Sequence, residues 1–240
     1  MKRNEEVNRR ITRMNFPDLP EIQIIRNVRS KHLRLRVEPN KVRLTAPSFC
    51  TKRQIQDFIQ GSEQWLLKTW HEQQQNIKNQ DRTLPTRLQL FNLQDSLTIS
   101  YRTQQSDFVF DDQNLQLFIS DRQPAKSLKN FVMAYAYQYL PIFLDNIGQE
   151  YELPFAKCTI RQPKTRWGSC NFKHDIMLNS GLVLLPEEIT RYVCIHELAH
   201  TKYFDHSRQF WAEVQKHDPN FQHHRKRLKT SHMPFWWQII

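Results

Sequence analysis

Short runs of alternating apolar and polar residues mark the first half of the chain. Three of these runs lie at residues 22–25, 33–37 and 42–46. A period of two, with turn signals such as Pro39-Asn40 between the runs, predicts antiparallel strands with one face in solvent. A second group of runs predicts further strands at residues 97–99, 108–110 and 115–119.

Apolar residues recur at helical spacing in much of the remaining chain. The helices predicted from this spacing span residues 51–75 and 124–148, open at Pro186, and run from Ser207 to Asp218. Thr51 and Ser207 are suitable N-caps, because a hydroxyl oxygen accepts a hydrogen bond from the first backbone N–H groups. Two short strands, at residues 158–160 and 176–179, flank a loop at residues 166–170.

This order of elements predicts an α+β fold. We expect a flexible lead-in over residues 1–21 and a strand-rich N-terminal domain with a helix over residues 22–122. A helical catalytic domain with a small sheet is expected over residues 123–232. Residues 233–240 form an apolar tail, which either seals a groove on the body or contacts a partner.

Positive charge is concentrated at the start of the chain. The net charge is +11, and residues 1–50 carry 12 lysines and arginines against five acidic residues. Such an excess favours weak electrostatic association with nucleic acid, and it also serves solubility alone.

Two patterns in the sequence bear on where the protein works. No stretch approaches the roughly 20 apolar residues of a membrane-spanning helix, and no apolar run follows the basic N-terminus as in a secretory signal. Four scattered cysteines without a C-x-x-C pair argue against a disulfide framework and a thiolate zinc cage. We expect a cytoplasmic protein without a membrane partner, and no pattern in the sequence sets its oligomeric state.

The segment His196-Glu197-Leu198-Ala199-His200 carries the strongest chemical signal in the chain. Positions four apart on a helix lie on one face, so His196 and His200 are placed to bind one zinc ion. Glu197 lies beside the first ligand, where a carboxylate is suited to act as a general base on water. The pattern predicts a zinc-dependent hydrolase.

A catalytic zinc ion needs a third protein ligand. His206 follows His200 by six residues, which is about 240° further around a continuous helix. His206 therefore reaches the same ion only if the helix ends near residues 203–205 and the chain turns back before Ser207. We expect His206 as the third ligand. The alternatives left open are His174, Glu213, His217, His223 and His224.

The loop Arg166-Trp167-Gly168-Ser169-Cys170 is the second candidate for function. Gly168 permits a close backbone approach or a positive φ. Arg166 is suited to hold an anionic substrate or to stabilise developing negative charge, and a structural role is equally open. Trp167 and Cys170 are expected to pack in the interior, Cys170 in preference to acting as a nucleophile or ligand.

Two further residues are candidates for substrate binding. Asn179, near the end of a strand, is suited to bind a substrate backbone or to form a turn. Tyr203 is suited to donate a hydrogen bond to an oxyanion or to pack beside the metal helix.

Taken together, these motifs resemble the YgjP-like family of zinc metallopeptidase-type proteins, which is related to the SprT-like and WLM proteins. The matching elements are residues 166–170, Leu178-Asn179, Leu185-Pro186, residues 196–200, His206-Ser207 and Phe210-Trp211, within a resemblance that spans residues 22–230. The resemblance implies a minimal zincin-like catalytic unit with one zinc ion. It also implies His196, His200 and His206 as ligands and Glu197 as general base.

Three functions are compatible with these observations. The leading hypothesis is a zinc metallopeptidase that cleaves exposed polypeptide. The second is a metal-dependent hydrolase of nucleoside triphosphates at the same site, which the basic charge and Arg166 favour. The weakest is a basic nucleic-acid-binding protein with structural zinc, because a structural site wants a fourth protein ligand and leaves Glu197 without a role.

Overall fold

The protein has an α+β fold in two compact units, residues Met1–Asp81 and Arg82–Ile240. This computed structural model describes residues 18–38, 40–79 and 83–238. Most of the predicted lead-in, Pro39 of the predicted turn and the last two residues of the tail lie outside the described residues.

The first unit combines a three-stranded sheet with two helices. Its elements are β1 (Ile22–Asn27), β2 (Arg34–Glu38), β3 (Lys41–Pro47), α1 (Lys52–Gly61) and α2 (Glu63–Asn79). The strand order is β1-β3-β2, with β2 antiparallel and β1 parallel to β3. The antiparallel prediction was therefore wrong for β1, because a period of two is the same in both kinds of pairing and does not identify the neighbouring strand.

Helix α1 covers one face of this sheet. Thr51 caps it as predicted, with a capping box in which the side chain of Gln54 bonds back to the backbone of Thr51. The predicted single helix is in fact divided at Ser62, which follows the weak helix former Gly61. The core of this unit consists of Val42, Leu44, Ala46, Ile55, Ile59 and Leu66.

The second unit begins with a four-stranded sheet packed on a long helix. Its elements are β4 (Arg87–Leu88), β5 (Leu97–Arg102), β6 (Phe108–Asp111), β7 (Gln116–Ser120) and α3 (Pro124–Glu150), with strand order β4-β5-β7-β6. Phe131 of α3 contacts Phe108 and Phe110 of β6 edge-on, each at 5.4 Å between ring centroids. The domain boundary expected between residues 122 and 123 would separate this sheet from the helix that packs on it. The two compact units meet in the sequence at an earlier point, after Asp81.

The remainder of the second unit contains the predicted small sheet and a set of short helices. The strands β8 (Lys157–Arg161), β9 (Gly168–Cys170) and β10 (Asp175–Asn179) have the order β8-β10-β9. A 3₁₀ helix (Ser180–Leu184) leads into α4 (Glu187–Ala199), α5 (Arg208–His217), α6 (Phe221–Thr230) and α7 (Phe235–Gln238). Strand β9 lies at the edge of its sheet and packs beside α4.

The described part of the apolar tail, residues 233–238, contributes to the core of the second unit. Trp236 and Trp237 are each only 4% exposed, and the backbone carbonyl of Trp237 accepts a hydrogen bond from the side chain of Gln162 at 3.4 Å. The described part of the tail therefore packs against its own unit, as the groove-sealing alternative predicts. No helix within the described ranges is long and apolar enough to cross a membrane.

We expect Trp237→Ala to lower the free energy of unfolding of the second unit by about 3–5 kcal/mol, because it empties a filled site in the core. Urea unfolding followed by far-UV circular dichroism measures this. Phe172→Ala is the control, since Phe172 is 78% exposed and its removal is expected to cost within about 0.5 kcal/mol. Equal stability of the Trp237 variant and the wild type would contradict the docked tail.

Candidate metal centre

The C-terminal half of helix α4 is buried and carries His196 and Glu197. Val193, Ile195, Leu198 and Ala199 are at most 3% exposed, so the helix lies within the core of the second unit. Its last residue is Ala199, and His200 is the C-cap. His196 is only partly exposed and lies in the last turn of this helix, and the buried His200 follows it at the C-cap.

The chain turns back immediately after α4. The backbone N–H groups of Thr201, Lys202 and Tyr203 donate to the carbonyls of Leu198 and Ala199, and these bonds end the helix before residues 203–205, where we expected its end. Ser207 then caps α5, its hydroxyl accepting from the backbone N–H of Phe210. The reversal that the six-residue step required is therefore present.

The reversal brings three imidazoles together. One ring nitrogen from each of His196, His200 and His206 lies within 4.8 Å of the others. The Nε2 atoms of His196 and His206 are 3.2 Å apart, and two ligands of a tetrahedral zinc ion with bonds of 2.0–2.1 Å are about 3.3–3.4 Å apart. His200 is buried and His206 is exposed, so the cluster opens to solvent on the His206 side.

Hydrogen bonding prepares His200 to bind a metal. Its Nδ1 lies 2.9 Å from the carbonyl oxygen of Tyr203. Since a carbonyl only accepts, Nδ1 carries the proton and Nε2 keeps its lone pair. In His196 the other ring nitrogen, Nδ1, is buried without a partner among the described residues. The donor set fits zinc.

The surroundings keep the buried rings neutral. Burial, together with the neighbouring His200 and His206, lowers the pKa of His196 to about 3. Burial also lowers the pKa of His200. Neutral imidazole is the form that binds a metal ion, so both rings are ready to do so at neutral pH.

An aromatic platform supports all three rings. Phe210, which is fully buried, stacks on His200 with ring centroids 4.4 Å apart and meets His196 and His206 edge-on at 4.9 and 4.8 Å. Trp211 lies nearly parallel to the ring of His206 at 5.7 Å. The sequence predicts no contact between Phe210-Trp211 and the histidines, and the pair enters there only as part of the family resemblance. The signal for this contact is an aromatic pair at the start of the helix that follows His206.

Gly168 determines where the carboxylate of Glu197 lies. Glu197 is 5% exposed, and a Cβ atom added to Gly168 would lie 2.5 Å from its Oε1 and 2.6 Å from its Cγ. None of the four glycines has a positive φ, so the need for glycine here is close approach, the first of the two reasons we considered. The backbone of β9 thus forms the wall against which Glu197 rests.

Burial and one nearby cation act in opposite directions on Glu197. Burial raises the pKa of this carboxyl to about 8, and the positive charge of Arg166 opposes that rise. Arg166 is exposed to solvent, and its charge still influences the carboxyl group of Glu197. Arg225, whose guanidinium lies 4.6 Å from the ring centroid of Trp211, helps to lower the pKa of His196.

Asn179 uses its side chain to hold the loop that carries Arg166. Its amide nitrogen donates to the carbonyls of Pro163 and Arg166, each at 2.9 Å, and its oxygen accepts from the N–H of Gly181. Both amide protons are thereby occupied, which favours the turn-forming alternative. Tyr203 is half-buried and contributes its backbone carbonyl to His200.

The alternative ligands lie outside this cluster. Glu213 accepts a hydrogen bond from Lys202 and pairs with His217, and His224 pairs with Asp218. The rings of His174 and His223 contact Phe204 and His224 instead. Within the described part of the chain, His196, His200 and His206 are the group whose ligand atoms are close enough to share one ion.

Cys170 is near the site but is not set up as a nucleophile. Burial, and then the negative charges of Glu197 and Asp175, raise the pKa of its thiol to about 11. The thiol is therefore protonated at neutral pH, whereas the thiolate is the reactive form. This agrees with our expectation that Cys170 is a packing residue.

Parts of this chain are similar to known proteins. A family model described as YgjP-like, metallopeptidase domain, matches residues 31–231. Two solved structures are similar in part. The metallopeptidase zymogen abylysin of Pyrococcus abyssi is 30% identical, over 38% of this chain and 92% of that one, with a TM-score of 0.35. The metallopeptidase zymogen jannalysin of Methanocaldococcus jannaschii is 20% identical, over 39% and 96%, with a TM-score of 0.35. A search of the curated proteins found no match.

We expect His206→Ala to weaken zinc binding, because it removes one of the three candidate ligands. The loss should exceed the 10–100-fold that removal of a residue supporting a ligand costs. Competition with a chromophoric chelator measures the affinity. His223→Ala is the matched control, since it removes another exposed histidine from the second unit. Equal affinity in the two variants would exclude His206 as a ligand.

Proposed function

We propose, since the chain belongs to the YgjP-like metallopeptidase family, that it is a zinc-dependent peptidase whose ion is held by His196, His200 and His206. The observation that carries this proposal is the three-imidazole cluster at the C-terminal end of α4, with the buried carboxylate of Glu197 next to His196 in the chain. Three imidazole ligands and a neighbouring carboxylate are the donor set of a catalytic rather than a structural site.

The metal ion and the protein have separate tasks in this scheme. When bound, zinc supplies Lewis acidity, which polarises a carbonyl oxygen and lowers the pKa of water to about 7. The chain holds the ion through rings whose positions are fixed by Phe210 and by the carbonyl of Tyr203. Rings fixed in this way lose little entropy when they bind.

Glu197 is assigned to proton transfer. In its ionised form, which the positive charge of Arg166 favours, the carboxylate acts as general base: it takes a proton from the attacking water and then delivers it to the nitrogen of the leaving amine. The contact with Gly168 limits the positions open to Oε1, which holds the carboxylate for that transfer. Glu197 is buried, so bulk water does not compete for its oxygens.

Arg166 is assigned to the substrate, and Asn179 to positioning Arg166. The guanidinium of Arg166 is exposed and lies close enough to Glu197 to affect its pKa. Negative charge that develops on the substrate is stabilised by such a cation. Tyr203 stays a candidate donor to the same charge.

A phosphoanhydride substrate is the second candidate. Two cations, Arg166 and Arg225, act electrostatically on Glu197 and His196 respectively, and both would attract a nucleoside triphosphate. The third reading, structural zinc in a nucleic-acid-binding protein, has less support, because the cluster found within the described residues contains three ligands rather than four.

We also propose a cytoplasmic location. The four cysteines, Cys50, Cys158, Cys170 and Cys194, are free, and free thiols are typical of a reducing compartment. Accessibility of the thiols to a maleimide in freshly lysed cells, before any reductant is added, tests this.

We expect Glu197→Gln to lower the rate of peptide hydrolysis by about 10²–10⁴-fold, because the amide does not accept the proton, while one zinc ion per chain is retained. Zinc-loaded protein is incubated with a denatured protein pool and, separately, with a panel of nucleoside triphosphates. Glu188→Gln, on the same helix but hydrogen-bonded to Arg227, is the control. Pyrophosphate release without peptide cleavage by the wild type would replace the leading assignment with the second.

We expect Gly168→Ala to lower kcat by roughly 10²-fold, the cost of displacing a catalytic group by about 1 Å. The added methyl group occupies space 2.5 Å from Oε1 of Glu197, so the carboxylate must move while the histidines keep their places. Zinc affinity is therefore expected to be unchanged. Gly61→Ala is the control, since a Cβ there meets nothing within 4 Å. Full activity of the Gly168 variant would contradict the role given to this contact.

A further inference from the structure

The sheet of the first unit has one apolar face and one basic face. Its apolar face contains Val42, Leu44 and Ala46, which form the core with α1 and α2. Side chains alternate between the two faces along each strand. The other face therefore carries Arg34, Arg36 and Glu38 from β2 and Lys41, Arg43 and Thr45 from β3. We call this set the basic face.

The register of β2 and β3 brings like charges together on the basic face. Arg36 lies directly opposite Arg43 in the antiparallel pair, and two like charges in that arrangement destabilise a sheet. Glu38 is the one carboxylate of this set, and it lies 3.5 Å from Lys41 and 3.7 Å from Arg43. One carboxylate thus faces four cations.

Three of the arginines have donors to spare. Arg34 and Arg36 are exposed, and among residues 18–38 and 40–79 neither guanidinium has an acceptor within hydrogen-bonding or ion-pair distance. The Nε of Arg43 is buried and without a partner among the described residues. Arg34 and Arg36 thus form no bond within the described part of their own unit, and an external anion can reach both exposed guanidinium groups.

Arg26 shows by contrast how a structural arginine in this unit behaves. Its guanidinium donates to the backbone carbonyls of Pro47, Ser48 and Cys50, and it thereby ties β1 to the end of β3. Within the ranges that the structure describes, the arginines of the basic face make no such bonds to carbonyls. Arg29 and Lys31, in the loop before β2, are further exposed cations of this unit.

We propose that the basic face binds the phosphate backbone of duplex nucleic acid. Three of its four cations are arginines, whose planar forks bind phosphate oxygens bidentately. Alternate residues of a strand lie about 6.6–6.8 Å apart and neighbouring strands about 4.8 Å apart, so the cations form a grid rather than a single pocket. A grid suits a polymer of regularly spaced charges.

The composition of the face favours a duplex over a single strand. The residues of β1 that share this side are Gln23, Ile25 and Asn27, and none of the face residues is aromatic. Single-stranded nucleic acid is usually held by bases stacked on aromatic rings. Binding through phosphates alone is independent of base sequence and falls steeply with salt. This inference does not depend on the metal centre.

The test measures binding of the full-length protein to a fluorescent duplex DNA of random sequence across a range of salt concentrations. For the double variant Arg34→Gln/Arg36→Gln, we expect the affinity for duplex DNA at about 0.1 M salt to fall on the order of 10–100-fold. The slope of log K against log salt is expected to become shallower by about two, one for each lost phosphate contact. Both residues are exposed, so the fold is retained, and circular dichroism checks this.

A charge-matched control separates the face from the net charge. Lys52→Gln/Arg53→Gln removes two exposed cations from α1 of the same unit, and we expect its affinity and salt slope to stay within a factor of about two of the wild type, since these cations lie outside the proposed surface. Equal losses in the two variants would overturn the proposal in favour of general electrostatics. Binding to polyglutamate without binding to DNA would overturn it in favour of an acidic polypeptide.

Discussion

The burial of α4 is the constraint on which the rest of the second unit depends. A helix surrounded by core residues holds polar side chains only where neighbouring elements leave room and supply partners. Burial keeps His196 and His200 neutral, and the Tyr203 carbonyl sets the tautomer of His200. It also places Glu197 against Gly168, because no side chain separates β9 from the helix there.

Several elements distant from the metal centre serve the same arrangement. The turn after α4 and the N-cap at Ser207 bring α5 under the cluster, so Phe210 touches all three imidazoles. Asn179 holds the loop of Arg166 by two hydrogen bonds. Side chains outside the cluster thus determine the geometry of the residues proposed to act in it, as outer residues commonly do around metal ions.

The first unit follows a different physical logic. The apolar face of its sheet forms the hydrophobic core that stabilises the unit. The basic face contains a like-charge pair, Arg36 and Arg43, whose repulsion lowers the stability of the sheet. A surface that costs stability and leaves donors unused is best explained by a partner. On this view the chain joins a hydrolytic unit to a unit that would hold a polyanion, and the two properties are separable by mutation.

The sequence by itself determined the features that depend on neighbouring residues. Helical geometry places His196 and His200 on one face, and cap chemistry locates Thr51 and Ser207. The tertiary structure decided which strands pair, why Gly168 is needed beside Glu197, and which histidine joins the pair. These depend on contacts between residues far apart in the chain. A hydrophobic period records which face of an element is buried, but it does not record what covers that face.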